Sequence, residues 1–186
     1  MKKLLGLIGA GIIVFSGCSS KNEIQKAQMC QIDNVNAPEW ICTGGNVKDM
    51  ITGVGSAEPT PLGFNYQRTE AISAARDEIA RKISIRVKNI FKRFESSTGT
   101  GKDVTAEKAT ENVSKQLAYE TLRNSKLLKL WKSPKGTLYV LVGMPKEDAI
   151  EGIKTSLHNK KALYQKFLAK KSWEDLDKEI DKEFNY

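Results

Sequence analysis

Seven apolar positions, Ile72, Ala75, Ile79, Ile83, Val87, Ile90 and Phe94, follow one another at spacings of three and four. That spacing keeps side chains on one side of an α-helix, so a single long amphipathic helix is predicted from about Asn65 to Glu95. A helix of about thirty residues is about 45 Å long and must cross most of a domain of ordinary size. Ala71, Ala74, Ala75 and Ala80 keep its first half slim, so a sheet can lie close to it. Its second half carries Ile83, Ile85, Val87 and Ile90, β-branched residues with stiff side chains that favour helices weakly, so packing must hold that half. The polar face carries Arg76, Arg81, Lys82, Arg86 and Lys88.

The flanking segments supply strands and further helices. Met50 to Ala57 reads as the first strand, within a segment beginning near Asn46. Gly53 and Gly55 there mark a close approach of another backbone or a large side chain. Thr60 to Gly63 is a turn. A loop rich in Ser, Thr and Gly spans Ser96 to Asp103, and a weaker stripe of Ala106, Ala109, Val113, Leu117 and Thr121 predicts a second helix over Thr105 to Leu122. Lys126 to Trp131 and Thr137 to Val142 read as two strands. They are joined by Ser133-Pro134-Lys135-Gly136, whose Pro at the second and Gly at the fourth position suit a type I turn and hence a hairpin. Both faces of the second strand are apolar, which places it mid-sheet. Pro145 suits a helix start. From there to about Phe184 the chain reads as helical, in one piece or two, with a stripe of Ile150, Ile153, Leu157, Tyr164, Phe167, Leu168, Leu176, Ile180 and Phe184. The basic block Lys154 to Lys171 and the mainly acidic Glu174 to Glu183 either set the register of neighbouring helices or form a solvated face. The fold class that follows is α+β.

The N-terminus carries a different signal. Met1-Lys2-Lys3 is basic, and Leu4 to Phe15 is apolar but shorter than the roughly 20 residues a membrane span requires. The run ends in Phe15-Ser16-Gly17-Cys18, which resembles the bacterial lipobox, two small residues before a cysteine. On that reading residues 1–17 are an export signal removed by a peptidase. Cys18 takes a diacylglycerol group on sulfur and a further acyl chain on its freed amine. Stable anchoring needs two or more chains, and a triacylated cysteine meets that condition without spanning the bilayer. Ser19 stands where an Asp commonly holds such proteins at the inner membrane, which leans the expectation to the outer membrane. Ser19 to Ala37 reads as a tether reaching about 25 Å as a flexible coil, and Pro38-Glu39-Trp40-Ile41 opens the folded part. Residues 38–157 are then one α+β domain, and 158–186 a charged helical extension.

Removal of the leader leaves 169 residues, enough for one core, and lowers the net charge from +8 to +6 because Lys2 and Lys3 go with it. That balance suits anionic lipid or envelope polymers, or is simply a solvated Lys-rich surface. Export argues against nucleic acid as a partner. With Cys18 lipidated, Cys30 and Cys42 remain as an even pair in an oxidising compartment, which predicts a Cys30–Cys42 disulfide, the alternative being two free thiols. No Cys/His spacing suggests a metal site. Gly53-Val54-Gly55 fails as a dinucleotide fingerprint because Glu58 stands where the third glycine belongs, and Gly101-Lys102 fails as a phosphate loop because Asp103 follows. His158, the one histidine, has no neighbour in sequence suited to catalysis. No catalytic residue, cofactor or metal is expected.

Several of these residues occur together in one known family. Pro38-Glu39-Trp40 follows the tether, Gly53-Val54-Gly55-Ser56-Ala57 lies in the first strand, and Ala74-Ala75-Arg76-Asp77-Glu78-Ile79-Ala80 opens the long helix. Leu138-Tyr139-Val140-Leu141-Val142-Gly143 forms the last strand. In that order the chain resembles, over roughly Pro38 to Leu157, the Lpp-twenty outer-membrane lipoproteins, a family that includes flagellar lipoproteins of the FlgP type. The Cys30/Cys42 pair and the charged C-terminal helix depart from it. The resemblance implies a dodecin-like arrangement, a small antiparallel sheet wrapped around one long helix. It also implies an outer-membrane address and, for some members, a part in motility. The expected role is a non-enzymatic structural or interaction protein, as a homo-oligomer or with an envelope or flagellar partner. The alternatives are a binding module for an anionic envelope polymer or lipid, or a small-ligand binder of the flavin type.

Overall fold

The computed structural model describes residues 30–98, 104–159 and 173–185, with side chains throughout except at 94–98, 104–110, 159 and 173. The leader, Cys18, most of the expected tether, Gly101-Lys102, and Tyr164, Phe167 and Leu168 lie outside the described residues, as do the side chains of Phe94, Ala106 and Ala109.

The long helix, α2, runs from Phe64 to Thr98. Ala75, Ile79, Ile83, Val87 and Ile90 of its stripe are buried, and Ala71, Ala80 and Phe91 on the shoulders are buried with them. Three antiparallel strands lie against it in the order β3 (Met50–Ala57), β5 (Leu138–Pro145), β4 (Lys126–Lys132). β5 is central and buried on both faces, because Leu138, Val140, Val142 and Met144 join the helix-side core while Leu141 points the other way. The hairpin turn closes as its residues dictate. The Gly136 N–H donates to the Ser133 carbonyl at 2.9 Å, and Gly136 takes a φ of +94°, where a side chain would be strained. β4 is an edge strand. A bulge at Leu128 and the lysines Lys126, Lys129 and Lys132 keep it from pairing onward.

The two strand glycines set the distance between sheet and helix. A Cβ on Gly55 would fall against the backbone of Ala71 and Ala75, and one on Gly53 against the Ala75 carbonyl. Glycine on the strand and alanine on the helix are therefore one device, and they let α2 lie on β3 backbone to backbone. At the end of this contact Gln67, 3% exposed, donates from its amide nitrogen to the carbonyls of Ala57 (3.0 Å) and Gly136 (2.8 Å), tying α2 to both β3 and the hairpin turn.

Two expectations about the ends of the chain need correction. The segment read as a tether to Ala37 is folded from Cys30 onward. β1 (Gln31–Ile32) and β2 (Val35–Asn36) form a small hairpin, with Asp33 and Asn34 both at positive φ, the conformation a two-residue type I′ turn requires. A short helix α1 (Glu39–Thr43) follows, and Cys30 and Cys42 are joined as a disulfide, with 5.9 Å between their Cα atoms. This unit covers the outer face of the sheet, where Gly45 packs on Leu141 and the Thr52 hydroxyl donates to the Gly44 carbonyl at 3.1 Å. Two-residue strands carry too few side chains to show a period, so the sequence reads as coil there.

The second correction concerns the C-terminus. Pro145 ends β5, and α4 runs from Lys146 to Asn159. α5 (Trp173–Phe184) is not an appendage: Leu176, Ile180 and Phe184 are buried in the same core as Ile153 and Leu157. Opposite charge meets across this pair at Lys154–Asp181, 2.7 Å apart, and His158 lies 3.6 Å from Asp177. Among the described residues no helix is long and apolar enough to cross a membrane.

Candidate functional site

α3 (Val104–Thr121) runs antiparallel to the second half of α2. It buries Ser114, Leu117 and Ala118, small residues beside one large one, which lets the two helices approach closely. On the solvent side they leave an open groove of about 290 Å³. α2 lines it with Asp77, Arg81, Ser84, Ile85 and Lys88, a row at helical spacing, and α3 with Glu111, Lys115 and Tyr119, each four residues from the next.

The groove has a charged rim around two exposed apolar bodies. Ile85 is 55% and Tyr119 56% exposed. The Tyr119 hydroxyl donates to Asp77 Oδ1 at 3.3 Å, and the Asp77 charge, with some burial, raises the phenol's pKa above its ordinary value. Glu111 stands between Lys115 (2.8 Å) and Lys88 (3.6 Å). The Lys115 hydrogen bond, then the charges of Lys115 and Lys88, hold its carboxyl below the usual carboxylate value. An apolar centre inside a polar rim is the anatomy of a protein-docking surface. Among the described residues no cluster of His, Cys, Asp and Glu is arranged to hold a metal ion.

The remaining residues singled out from sequence sort differently. Cys30 and Cys42 come together; Cys18 lies outside the described residues. His158 sits at the α4–α5 contact rather than in a site. The basic face of α2 is largely committed to internal contacts. Arg76 Nε donates to the Ser125 hydroxyl at 3.0 Å, and Lys82 Nζ donates to the Thr52 carbonyl at 2.8 Å. Arg81 pairs with Glu78 and Lys88 with Glu111. Arg86 donates to the Glu183 carbonyl at 2.7 Å and lies 5.2 Å from the centre of the Phe184 ring. What sequence reasoning missed is the groove itself. Its one sequence signal was Ile85, an apolar residue out of phase with the stripe and therefore on the outward face of α2.

The model of the LPP20 lipoprotein family matches residues 38–144, from Pro38 just before α1 to Met144 near the end of β5, and so spans the groove. No curated protein matches the chain.

Proposed function

Because this chain belongs to the LPP20 lipoprotein family, we propose that it is a non-enzymatic structural component of the cell envelope, held at the outer membrane through lipidated Cys18 and docking a protein partner in the α2–α3 groove. The observation that carries the reading is the pair Ile85 and Tyr119, each more than half exposed and ringed by Asp77, Arg81, Lys88, Glu111 and Lys115. Aromatic and apolar anchors inside a charged rim supply most of the energy of protein interfaces, and the rim supplies selectivity. A polymer-binding role through the basic face of α2 is less well supported, since Arg76, Lys82 and Arg86 already serve contacts to other elements. The partner is a second copy of the chain or an envelope protein, including one of a flagellar assembly.

The test is the double variant Ile85→Glu, Tyr119→Glu in the full-length protein expressed in its own cell. Both side chains are exposed, so folding and membrane attachment are expected to be retained. The variant is expected to leave the envelope complexes seen on native gels and, for a flagellar role, to reduce swimming. Complexes and motility unchanged in a folded, membrane-attached variant would refute the docking role.

A further inference from the structure

A second group of exposed apolar side chains lies at the N-terminal end of α2. Leu62, Phe64 and Tyr66, in the link from β3 to α2 and its first turn, are 68%, 49% and 47% exposed. This link is not loose. Thr60 accepts from the Gly63 N–H on its carbonyl (3.3 Å) and from the Leu62 N–H on its hydroxyl (3.2 Å). Pro59 and Pro61 fix their own φ angles, and buried Gln67 clamps the start of the helix to the sheet. A framework this well tied holds three large apolar side chains out in water. Set around the first turn of the helix, they crown its N-terminal end, and an apolar end of this kind can be covered by an occupant.

The chain itself indicates the occupant. The link packs on the β4–β5 turn, where the Thr137 hydroxyl donates to Glu58 Oε2 at 2.9 Å. The same turn holds the N-terminal hairpin, because the Lys135 N–H donates to Asp33 Oδ2 at 3.1 Å. Val35 of that hairpin is also exposed, at 39%. The tip of the N-terminal hairpin, three residues beyond Cys30, therefore rests at the end of the sheet that presents Leu62, Phe64 and Tyr66. From Cys18 to Cys30 the chain advances twelve residues, which reach at most about 40 Å even fully extended.

We infer that the Leu62–Phe64–Tyr66 surface is a second contact with the bilayer, seated in the headgroup region of the membrane that carries the Cys18 anchor. The inference rests on lipidation of Cys18. Leucine and phenylalanine suit the acyl boundary, and tyrosine suits the interface, where its ring is buried and its hydroxyl stays wet. Such a contact orients the domain, with α2 pointing away from the membrane. Ile85 lies 21 residues along the helix from Phe64, about 32 Å out at 1.5 Å per residue, which carries the α2–α3 groove clear of the lipid.

The experiment is hydroxyl-radical footprinting of the mature lipoprotein in phosphatidylethanolamine–phosphatidylglycerol vesicles and in detergent-free monomeric nanodiscs of the same lipids. Leu128 and Leu130 of β4, exposed apolar residues outside both surfaces, serve as internal standards. Labelling of Leu62, Phe64 and Tyr66, normalised to these standards and to free-residue reactivity, is expected to fall about fivefold, as immersion in the headgroup–acyl boundary withdraws them from water. Equal labelling of both groups in a protein whose intact mass includes the lipid would overturn the docking surface and leave the anchor standing. An intact mass without the lipid would overturn both. Protection in crowded vesicles that disappears in monomeric nanodiscs would assign the surface to a second copy of the chain, and so would also overturn the inference.

Discussion

Replacing Gly55 with alanine tests the central packing contact of the fold, because local preference and tertiary contact predict opposite signs. In a strand interior glycine costs about 0.5–1 kcal/mol relative to alanine, so strand chemistry alone expects Gly55→Ala to stabilise. The structure expects the reverse. The added methyl would lie on the backbone of Ala71 and Ala75, which cannot swing aside as a side chain can. To restore ordinary contact α2 must retreat by about 1 Å, loosening Ala71, Ala75 and Ile79 against the sheet at once. Overpacking of this kind costs about 1–3 kcal/mol, and the rigid neighbours place this case toward the upper end. After the strand gain is subtracted, a net loss of about 2 kcal/mol is expected, a large share of the 5–15 kcal/mol typical of a folded domain. With a urea slope of about 2 kcal/mol per molar, the unfolding midpoint should fall by about 1 M. The assay is urea unfolding of the chain beginning at Ser19, followed by circular dichroism, with Ser56→Ala as control. Ser56 is exposed, and that change should stay within about 0.5 kcal/mol of the parent. A Gly55→Ala midpoint at or above the parent's would refute backbone-to-backbone packing of α2 on β3.

Other perturbations test the rest of the framework. Gln67→Leu removes both hydrogen bonds to the Ala57 and Gly136 carbonyls, and should cost about 2 kcal/mol by urea unfolding, with no change if the clamp is unimportant. Phe184→Ala empties a fully buried site and should cost about 3–5 kcal/mol; a change under 1 kcal/mol would mean that α5 is the appendage its charge suggests. The pair Cys30→Ser, Cys42→Ser opens a loop whose closure constrains the unfolded chain by about 3 kcal/mol, and should hasten protease cleavage between Gln31 and Gly45 well before the sheet is lost. Glu111 titrates below its usual value of 4.5, first through its hydrogen bond to Lys115 and then through the charges of Lys115 and Lys88. A carboxyl depressed in the folded state adds stability that is present above its unfolded pKa and lost as pH falls through the lowered one. Glu111→Gln should flatten that part of the acid-side decline in melting temperature, and an unchanged profile would show the pair to be without energetic weight.

What the sequence determined by itself was whatever repeats along a single element. The α2 stripe, the hairpin with its Ser133–Gly136 turn, the doubly apolar β5 and the glycines of β3 were all legible, because each is a local pattern with one physical solution. The tertiary structure decided what depends on meeting a distant neighbour. The Gln31–Asn36 hairpin shows no period of its own and takes its place from the Cys30–Cys42 bond and the Asp33–Lys135 contact. The stripe of Leu176, Ile180 and Phe184 is legible along α5, but only the fold shows that it enters the same core as α2 and α4 rather than forming a separate extension. The arginines and lysines of α2 read as a free basic face, and only the fold shows how many are committed to Thr52, Ser125, Glu111 and Glu183. The groove is the extreme case. Ile85 marks it as a break in the helical period, but Asp77 and Tyr119 meet across 42 positions of sequence, and no pattern along one helix records what a second helix brings to it.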